Sequence, residues 1–333
     1  MVDIAELAGV SRTAVSLILN NRATRIPSET QARVREIADE LGFRPSKAAL
    51  QLRTQKSEVI ALIGDEIASG PFAGGLIAGA QRAATAAGHV LMVLNSGTPG
   101  NVDSIDVELL EDRQVDGVVY ATVMTRPLQP AHLSSAPTVF LNCVTDAPTV
   151  GQVVPDDLGG ERAAAELALD HGHTRIALIM GEANTLPAEE RLRGYREALD
   201  RHGVPFDDSL VRFGDWNGQT GYREALDLLS IPDSAPTALL CGNDRIALGA
   251  YEAIRSLGLS IPGDVSVIGF DDQREIAEYL HPPLTTIRLP YEEMGARAVE
   301  TLLAGETVGT LTVGCEPVLR ESLGKVACSP TAD

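Results

Sequence analysis

From residue 57 onward, apolar runs of strand length alternate with helical stretches, and no other feature restricts the fold as tightly. Val59–Gly64, Val90–Asn95, Gly117–Thr122 and Thr138–Asn142 read as buried strands, with helices expected at Ala73–Ala87 and Val102–Arg113 between the first three. A second set follows, with strands at Arg175–Gly181, Val211–Gly214, Ala238–Gly242 and Val265–Phe270. Its helices are expected at Gly159–His171, Ala188–His202, Gly218–Leu229 and Asp244–Leu257. Strand–helix alternation implies βαβ units and parallel sheets, because a parallel neighbour needs a crossover. Two such sets in tandem imply two doubly wound lobes, with ligands binding beyond the carboxyl ends of the strands. Two facing lobes enclose a cleft of the kind that takes a small molecule.

The first 56 residues follow another pattern. A helix is expected at Asp3–Ala8, with Ile4, Leu7 and Ala8 on one side, and Gly9 supplies a tight turn. Ser11 is suited to cap a second helix that runs to Leu19 and turns Val15, Ile18 and Leu19 inward. Ser28 and Gln31 form a capping-box pattern ahead of a third helix, in which Val34, Ile37, Ala38 and Leu41 recur at helical spacing before Gly42. Helix, glycine turn, helix is the helix-turn-helix pattern, whose second helix enters the major groove. Its outward face here would carry Ser11, Arg12, Thr13, Ser16 and Leu17. Arg12 suits guanine O6/N7, and Thr13 can donate or accept. A three-helix bundle whose charges only solvate it fits the same residues.

Charge bears on that choice. The chain has 27 Lys and Arg against 46 Asp and Glu, a net charge of -19, which taken whole opposes a polyphosphate partner. The charge is uneven, however: residues 1–56 hold nine basic and six acidic residues, a net +3, and the remainder carries -22. Such asymmetry points to a nucleic-acid module at the amino end. After Pro45-Ser46, the stretch Lys47-Ala48-Ala49-Leu50-Gln51-Leu52-Arg53 reads as a short helical linker. Its protruding Leu52 could wedge a minor-groove base step beside Ala49, with Lys47 and Arg53 on phosphates; a plain linker is the other reading.

The segment DIAELAGVSRTAVSLILN…IPSETQARVREIADELGFRPSKAALQLRT resembles the lactose-repressor/galactose-repressor family of bacterial transcription regulators. Leu17 stands where that family usually has Arg, and Met1 lies two residues before Asp3, where the family usually has several more. HGHTRIALIMG, ERLRGYREAL, GDWNGQTGY, CGNDRIALGAYEAIRSLGLSIPGDVSVIGFDD and PPLTTIRLPYEEMGARAVETLL are similar to the family's ligand-binding region, which is itself similar to periplasmic sugar-binding proteins. The resemblance implies a small all-α helix-turn-helix domain (1–45), a hinge (46–56) and a periplasmic-binding-protein-like α/β domain of two doubly wound parallel sheets. Its first lobe is expected at 57–154 with a return at 286–312, and its second at 155–285 with a return at 313–325.

Strand ends nominate effector residues from the chain itself. Asp65, Asn142, Asn243, Asp244, Asp271 and Asp272 follow or close strands, and planar amides and carboxylates can take paired hydroxyls. Trp216, the single Trp, offers a flat ring for a sugar face or a purine. The resemblance places ligand contacts at Arg191, Asn243, Asp271, Trp216 and Phe72. It also places Asn142 where the family commonly has Asp, and Cys143 where it frequently has Arg, a change that makes an anionic effector less favoured. Each has a structural reading beside it: Asp244 is expected to cap the helix it begins, Trp216 and Phe72 could serve packing, Asp272 could join the lobes, and Arg191 could pair with Glu189 or Glu190. His171 and His173 resemble a metal pair but are expected to be structural.

Other classes find little support. There is no phosphate-loop, dinucleotide, nucleophile-elbow or zinc-protease motif, and GPFAGGLIAG lacks the required spacing. The four cysteines are scattered without CxxC spacing, which argues against disulfides or zinc. No apolar run reaches the ~18 residues of a membrane span, and no secretory signal pattern opens the chain, so a cytoplasmic protein without metal or cofactor is expected. The expected function is a non-enzymatic repressor, homodimeric on a pseudo-palindromic operator and released by a small effector, most simply a sugar. Two alternatives stay open: a co-repressor-dependent regulator that binds a purine or other metabolite, and a solute-binding protein without DNA function.

Overall fold

The computed structural model describes residues 1–19, 25–43, 56–65, 73–96, 108, 110, 112–128, 135–146, 151–231, 234–305 and 309–326. The chain divides into two compact units, Met1–Ser57 and Glu58–Asp333.

The first unit contains α1 (Val2–Ala8), α2 (Arg12–Leu19) and α3 (Ser28–Glu40). Gly9 adopts φ 64, the left-handed conformation the turn after α1 needs. The Ser11 hydroxyl accepts from Ala14 N at 3.1 Å, as its capping position predicts. A small core forms from Ile4, Ala5, Ala8, Val15, Ile18, Val34 and Ala38, with Leu19, Ile37 and Phe43 packed against it. Two expectations fail here. Leu7 and Leu41 face solvent at 56% and 51% exposure, because Ala5 and Phe43 take the inward positions instead. The capping box does not form either: Pro27 precedes α3, no side chain caps it, and Gln31 Nε2 donates to Ile26 O at 2.8 Å.

The second unit holds two six-stranded sheets. We number its elements β1 (Val59–Asp65), α4 (Ala73–Ala86), β2 (Val90–Ser96), β3 (Gly117–Pro127), β4 (Thr138–Val144), β5 (Gly151–Pro155) and α5 (Asp157–Asp170). There follow β6 (Ile176–Met180), α6 (Leu186–Arg201), β7 (Val211–Phe213), α7 (Gly218–Leu229), β8 (Ala238–Cys241), α8 (Asp244–Ser256), β9 (Ser266–Asp271) and the short α9 (Arg274–Ala277). The last elements are β10 (Thr285–Arg288), α10 (Tyr291–Ala304), β11 (Thr310–Val313) and β12 (Glu316–Val318). The strand orders are β11-β5-β4-β3-β1-β2 and β12-β10-β9-β8-β6-β7. All pairings are parallel except β10 with β12. Each sheet therefore contains the doubly wound order 2-1-3-4-5, which places a ligand crevice at the carboxyl ends of its strands.

Strand alternation explains why both sheets read as continuous apolar runs. Along β1, Ile60 and Leu62 face one core while Ala61 and Ile63 face another. Along β6, Ala177 and Ile179 face one core, and Ile176, Leu178 and Met180 the other. The chain crosses between sheets after β5, after β10 and after β11. The expected return to the first lobe at residue 286 falls inside β10, which pairs with β9 in the second sheet; the return begins with α10, whose Met294 and Ala298 share a core with Leu76 and Ala80 of α4. The expected helix at 102–113 lies largely outside the described residues.

Candidate functional site

The carboxyl ends of the two sheets face a common cavity of about 250 Å³. Val123, Met124, Thr125 and Asn142 line it from the first sheet; Arg191, Trp216, Asn243 and Asp271 line it from the second. Pro155 and Asp157 at one crossover, Leu289 and Tyr291 at another, and Pro187 and Arg245 of the second lobe complete the wall. Of the residues singled out in the sequence, Asn142, Arg191, Trp216, Asn243 and Asp271 are thus brought together, Asp244 and Asp272 are not, and Phe72 lies outside the described residues.

Arg191, on α6, stands at the centre and is 3% exposed. Its Nε and Nη2 donate to Asp157 Oδ1 at 2.8 and 2.7 Å, and Nη1 donates to Gly242 O. The guanidinium lies 3.6 Å from the centroid of the Phe270 ring and 5.7 Å from that of Trp216. Burial opposes its charge, but the carboxyls of Asp157 and Asp271 outweigh burial and hold its pKa above the usual value. The alternative pairing with Glu190 does not occur; Arg193 takes that carboxylate at 2.8 Å.

Asp271 closes β9 with φ 104, a left-handed conformation rare for a side-chain-bearing residue. Such an outlier is a frequent companion of function. Burial pushes its carboxyl up to about 7, against the pull of Arg191 and a 3.2 Å hydrogen bond from Gln273 Nε2. Asn142 closes β4 with φ 58, and its amide is tied on both sides, Nδ2 donating to Thr122 O at 2.9 Å and Oδ1 accepting from Thr125 Oγ1 at 2.7 Å.

The cap expected from Asp244 is made by Asn243 instead, which also lines the cavity. Asn243 caps α8, its Oδ1 accepting from Ile246 N at 2.8 Å, and its Nδ2 donates to Trp216 O at 3.3 Å. Asp244 sits one residue inside the helix, fully buried, accepting from Thr286 Oγ1 and Gln273 N at 2.6 Å each. Burial, reinforced by Asp271, pushes that carboxyl well above the usual range. Asp272 binds Arg288 at 2.8 Å and Arg320 at 2.7 Å within the second lobe rather than joining the lobes.

Trp216 packs flat on Gly181, where an added Cβ would lie 2.1 Å from the indole, so the ring needs a glycine beneath it. Its Nε1 is buried and has no hydrogen-bond partner among the described residues. The histidine pair does not converge: His173 contacts Thr237 Oγ1 at 2.9 Å and Gly324 O at 3.0 Å, while His171 contacts Leu167 O at 2.7 Å. No group of three His, Cys, Asp or Glu among the described residues is placed to hold a metal ion.

Two acidic residues at the site were not nominated from the sequence. Asp157 and Glu161 lie one turn apart on the face of α5 that also carries the buried Gly160, Ala164, Ala165 and Ala168. Burial pushes Glu161 up to about 8, against the attraction of Arg191. A legible signal existed: in DLGGERAAAELAL, Asp157 and Glu161 share the helical register of the alanines.

In the first unit, Ser11, Arg12, Thr13 and Leu17 are exposed on one side of α2, with Ser16 half-buried among them. Lys47, Ala49, Leu52 and Arg53 lie outside the described residues.

A helix-turn-helix module followed by a two-lobed, cavity-bearing α/β unit defines a ligand-responsive DNA-binding regulator. Residues 1–46 match the model of bacterial regulatory proteins of the lacI family, and residues 165–323 that of a periplasmic binding protein-like domain. The chain is 34% identical to the ribose operon repressor of Escherichia coli, over 93% of this chain and 94% of that protein. It is 33% identical to the HTH-type transcriptional regulator DegA of Bacillus subtilis, over 90% and 89%. Among solved structures, a lac repressor dimer bound to operator and the anti-inducer ONPF superposes with a TM-score of 0.77 at 27% identity, covering 97% of this chain and 98% of that one. The chain therefore belongs to the LacI family of transcriptional regulators.

Proposed function

We propose that this chain is a homodimeric repressor that reads a pseudo-palindromic operator and leaves it when a polyhydroxylated, sugar-like effector enters the cavity. The operator-bound lac repressor dimer it resembles, and the ribose operon repressor to which it is 34% identical, support the two halves of that reading. Arg12, Thr13, Ser16 and Leu17 of α2, started by Ser11, would meet base edges. Lys47 and Arg53 would meet phosphates, and Leu52 beside Ala49 would wedge the minor groove at the centre of the site. A module of only +3 displaces few counterions, so pairing two of them strengthens binding. The strongly acidic remainder would discourage contact with DNA outside the operator. No helix among the described residues is long and apolar enough to cross a membrane, and we place the protein in the cytoplasm as a non-enzymatic regulator.

The observation that carries the effector reading is the cavity lined by Arg191, Asp271 and Trp216. Hydroxyls both donate and accept, and so can satisfy a guanidinium and a carboxyl together while the sugar face meets the indole ring. The volume lies just under the ~300–1,000 Å³ typical of drug-sized ligands, which suits a small solute. An effector acts by binding the DNA-free arrangement more tightly than the operator-bound one. A thermal-shift screen of pentoses, hexoses and nucleosides tests this, because a ligand of the folded state raises apparent stability. Stabilisation by a neutral sugar, lost in Asp271→Ala, is expected. Stabilisation by a purine alone would favour the co-repressor alternative, and none by any small solute would remove the effector role from the cavity.

A further inference from the structure

We infer that Asp157 sets the charge class of the effector: it occupies Arg191 as a built-in anion, so the cleft accepts uncharged polyols and turns away phosphorylated or carboxylated ones. This rests on the reading of the cavity as the effector site.

A buried guanidinium beside the first turn of a helix is an anion receptor, because the fork of N–H donors and the positive end of the helix both favour negative charge. Arg191 and the start of α5 make such a pair. In this chain the first residue of α5 is itself an acid, and its carboxylate accepts from both Nε and Nη2 of Arg191 with side chains only 4% and 6% exposed. Asp156 before it is not available for that role, since its carboxylate caps α5 through Gly159 N at 2.8 Å.

The neighbours differ in what they add. Asp271 lines the same cavity and interacts with the same guanidinium. Glu161 lies a turn beyond Asp157 on the buried face of α5, 1% exposed, and its Oε1 has no hydrogen-bond partner among the described residues. A phosphate reaching Arg191 would thus meet the Asp157 carboxylate already in place, with little water to screen it; Arg245, the other cation in the wall, donates to Gln273 Oε1 at 3.3 Å, and Glu161, raised to about 8, adds no charge at neutral pH. A hydroxyl meets no such opposition. A guanidinium has five N–H groups, three bonds go to Asp157 and Gly242 O, and the rest can donate to a neutral oxygen.

The test is a gain of function in the full-length chain. Wild type, Asp157→Asn and Asp157→Ser are titrated with inorganic phosphate at constant ionic strength, using chloride as the control, with melting temperature and calorimetric heat as readouts. D-ribose and D-ribose 5-phosphate are compared on the same three proteins. Phosphate is expected to leave wild type unmoved and to bind the folded variants at least about tenfold more tightly, and Arg191→Met added to either variant should abolish that gain. Stabilisation of wild type by phosphate, or by ribose 5-phosphate more than by ribose, would overturn the assignment. So would folded variants, confirmed by circular dichroism, that gain nothing. The two readings fail separately: no response to any neutral solute counts against the effector site, whereas no phosphate gain counts against Asp157.

Discussion

Replacing Glu161 with Gln should flatten the pH dependence of stability. Burial raises this carboxyl from 4.5 to about 8. Below pH 4.5 the folded and unfolded chains both carry the proton. Between that value and pH 8 the unfolded chain gives it up while the folded chain keeps it, so stability falls as pH rises; above the folded value the fall stops. Each pH unit in that window is worth ~1.4 kcal/mol, so from pH 5 to pH 8 Glu161 alone removes up to ~4 kcal/mol. At ~2 °C per kcal/mol for a unit of this size, that corresponds to a melting temperature lower by roughly 8 °C. Asp271, raised to about 7, adds a decline of the same sign that the variant retains. The assay is differential scanning calorimetry of wild type and Glu161→Gln across pH 5 to 9. The difference in slope is diagnostic, since the amide also alters packing at every pH. Parallel curves would refute the reasoning and show that the carboxyl reaches water or a partner in the folded protein.

Three further outcomes follow from the packing. Gly181→Ala should displace the Trp216 indole, whose atoms lie 2.1 Å from where the new Cβ would sit, and weaken effector binding by at least about tenfold in calorimetric titration while leaving operator affinity intact. Ile18→Ala removes a fully buried side chain from a core of few residues; a loss of ~2–5 kcal/mol should unfold the first unit while the second melts as before, seen as the selective loss of dispersed amide signals. Asp272→Ala strips Arg288 and Arg320 of their shared carboxylate. Arg288 is half exposed and stays solvated, so the loss is that of charge-assisted hydrogen bonds, ~1–3 kcal/mol, and the melting temperature of the second unit should drop modestly without a change in ligand specificity.

Much of this was readable from the chain because the sheets are buried on both faces. Runs such as VIALIG and RIALIM leave little choice but a central parallel strand, and their carboxyl ends mark where Asn142, Asn243, Trp216 and Asp271 gather. What escaped the sequence was mostly short or reciprocal. β5, β10, β11 and β12 are three to five residues each, and their pairing with distant strands comes from topology rather than local pattern. Asn243 and Asp244 are both good caps, and only the backbone decides which one precedes the helix. Gln31 bonds the carbonyl of Ile26 because Pro27, not Ser28, occupies the capping position. Asp157 and Glu161 went unnoticed as acids on an apolar helix face, a placement that means something only once Arg191 is known to lie against it.

The effector reading requires that occupancy of the cavity change the affinity for DNA. Its most direct test is fluorescence anisotropy of the full-length chain on a labelled palindromic site from its own promoter region, with salt varied and with the neutral solute that most raises its melting temperature present or absent. Binding should weaken as salt rises, and the solute should lower operator affinity at least about tenfold in wild type but leave Asp271→Ala unmoved at undiminished affinity. Operator binding that ignores a solute known to occupy the cavity, or no specific binding even at low salt, would contradict the account.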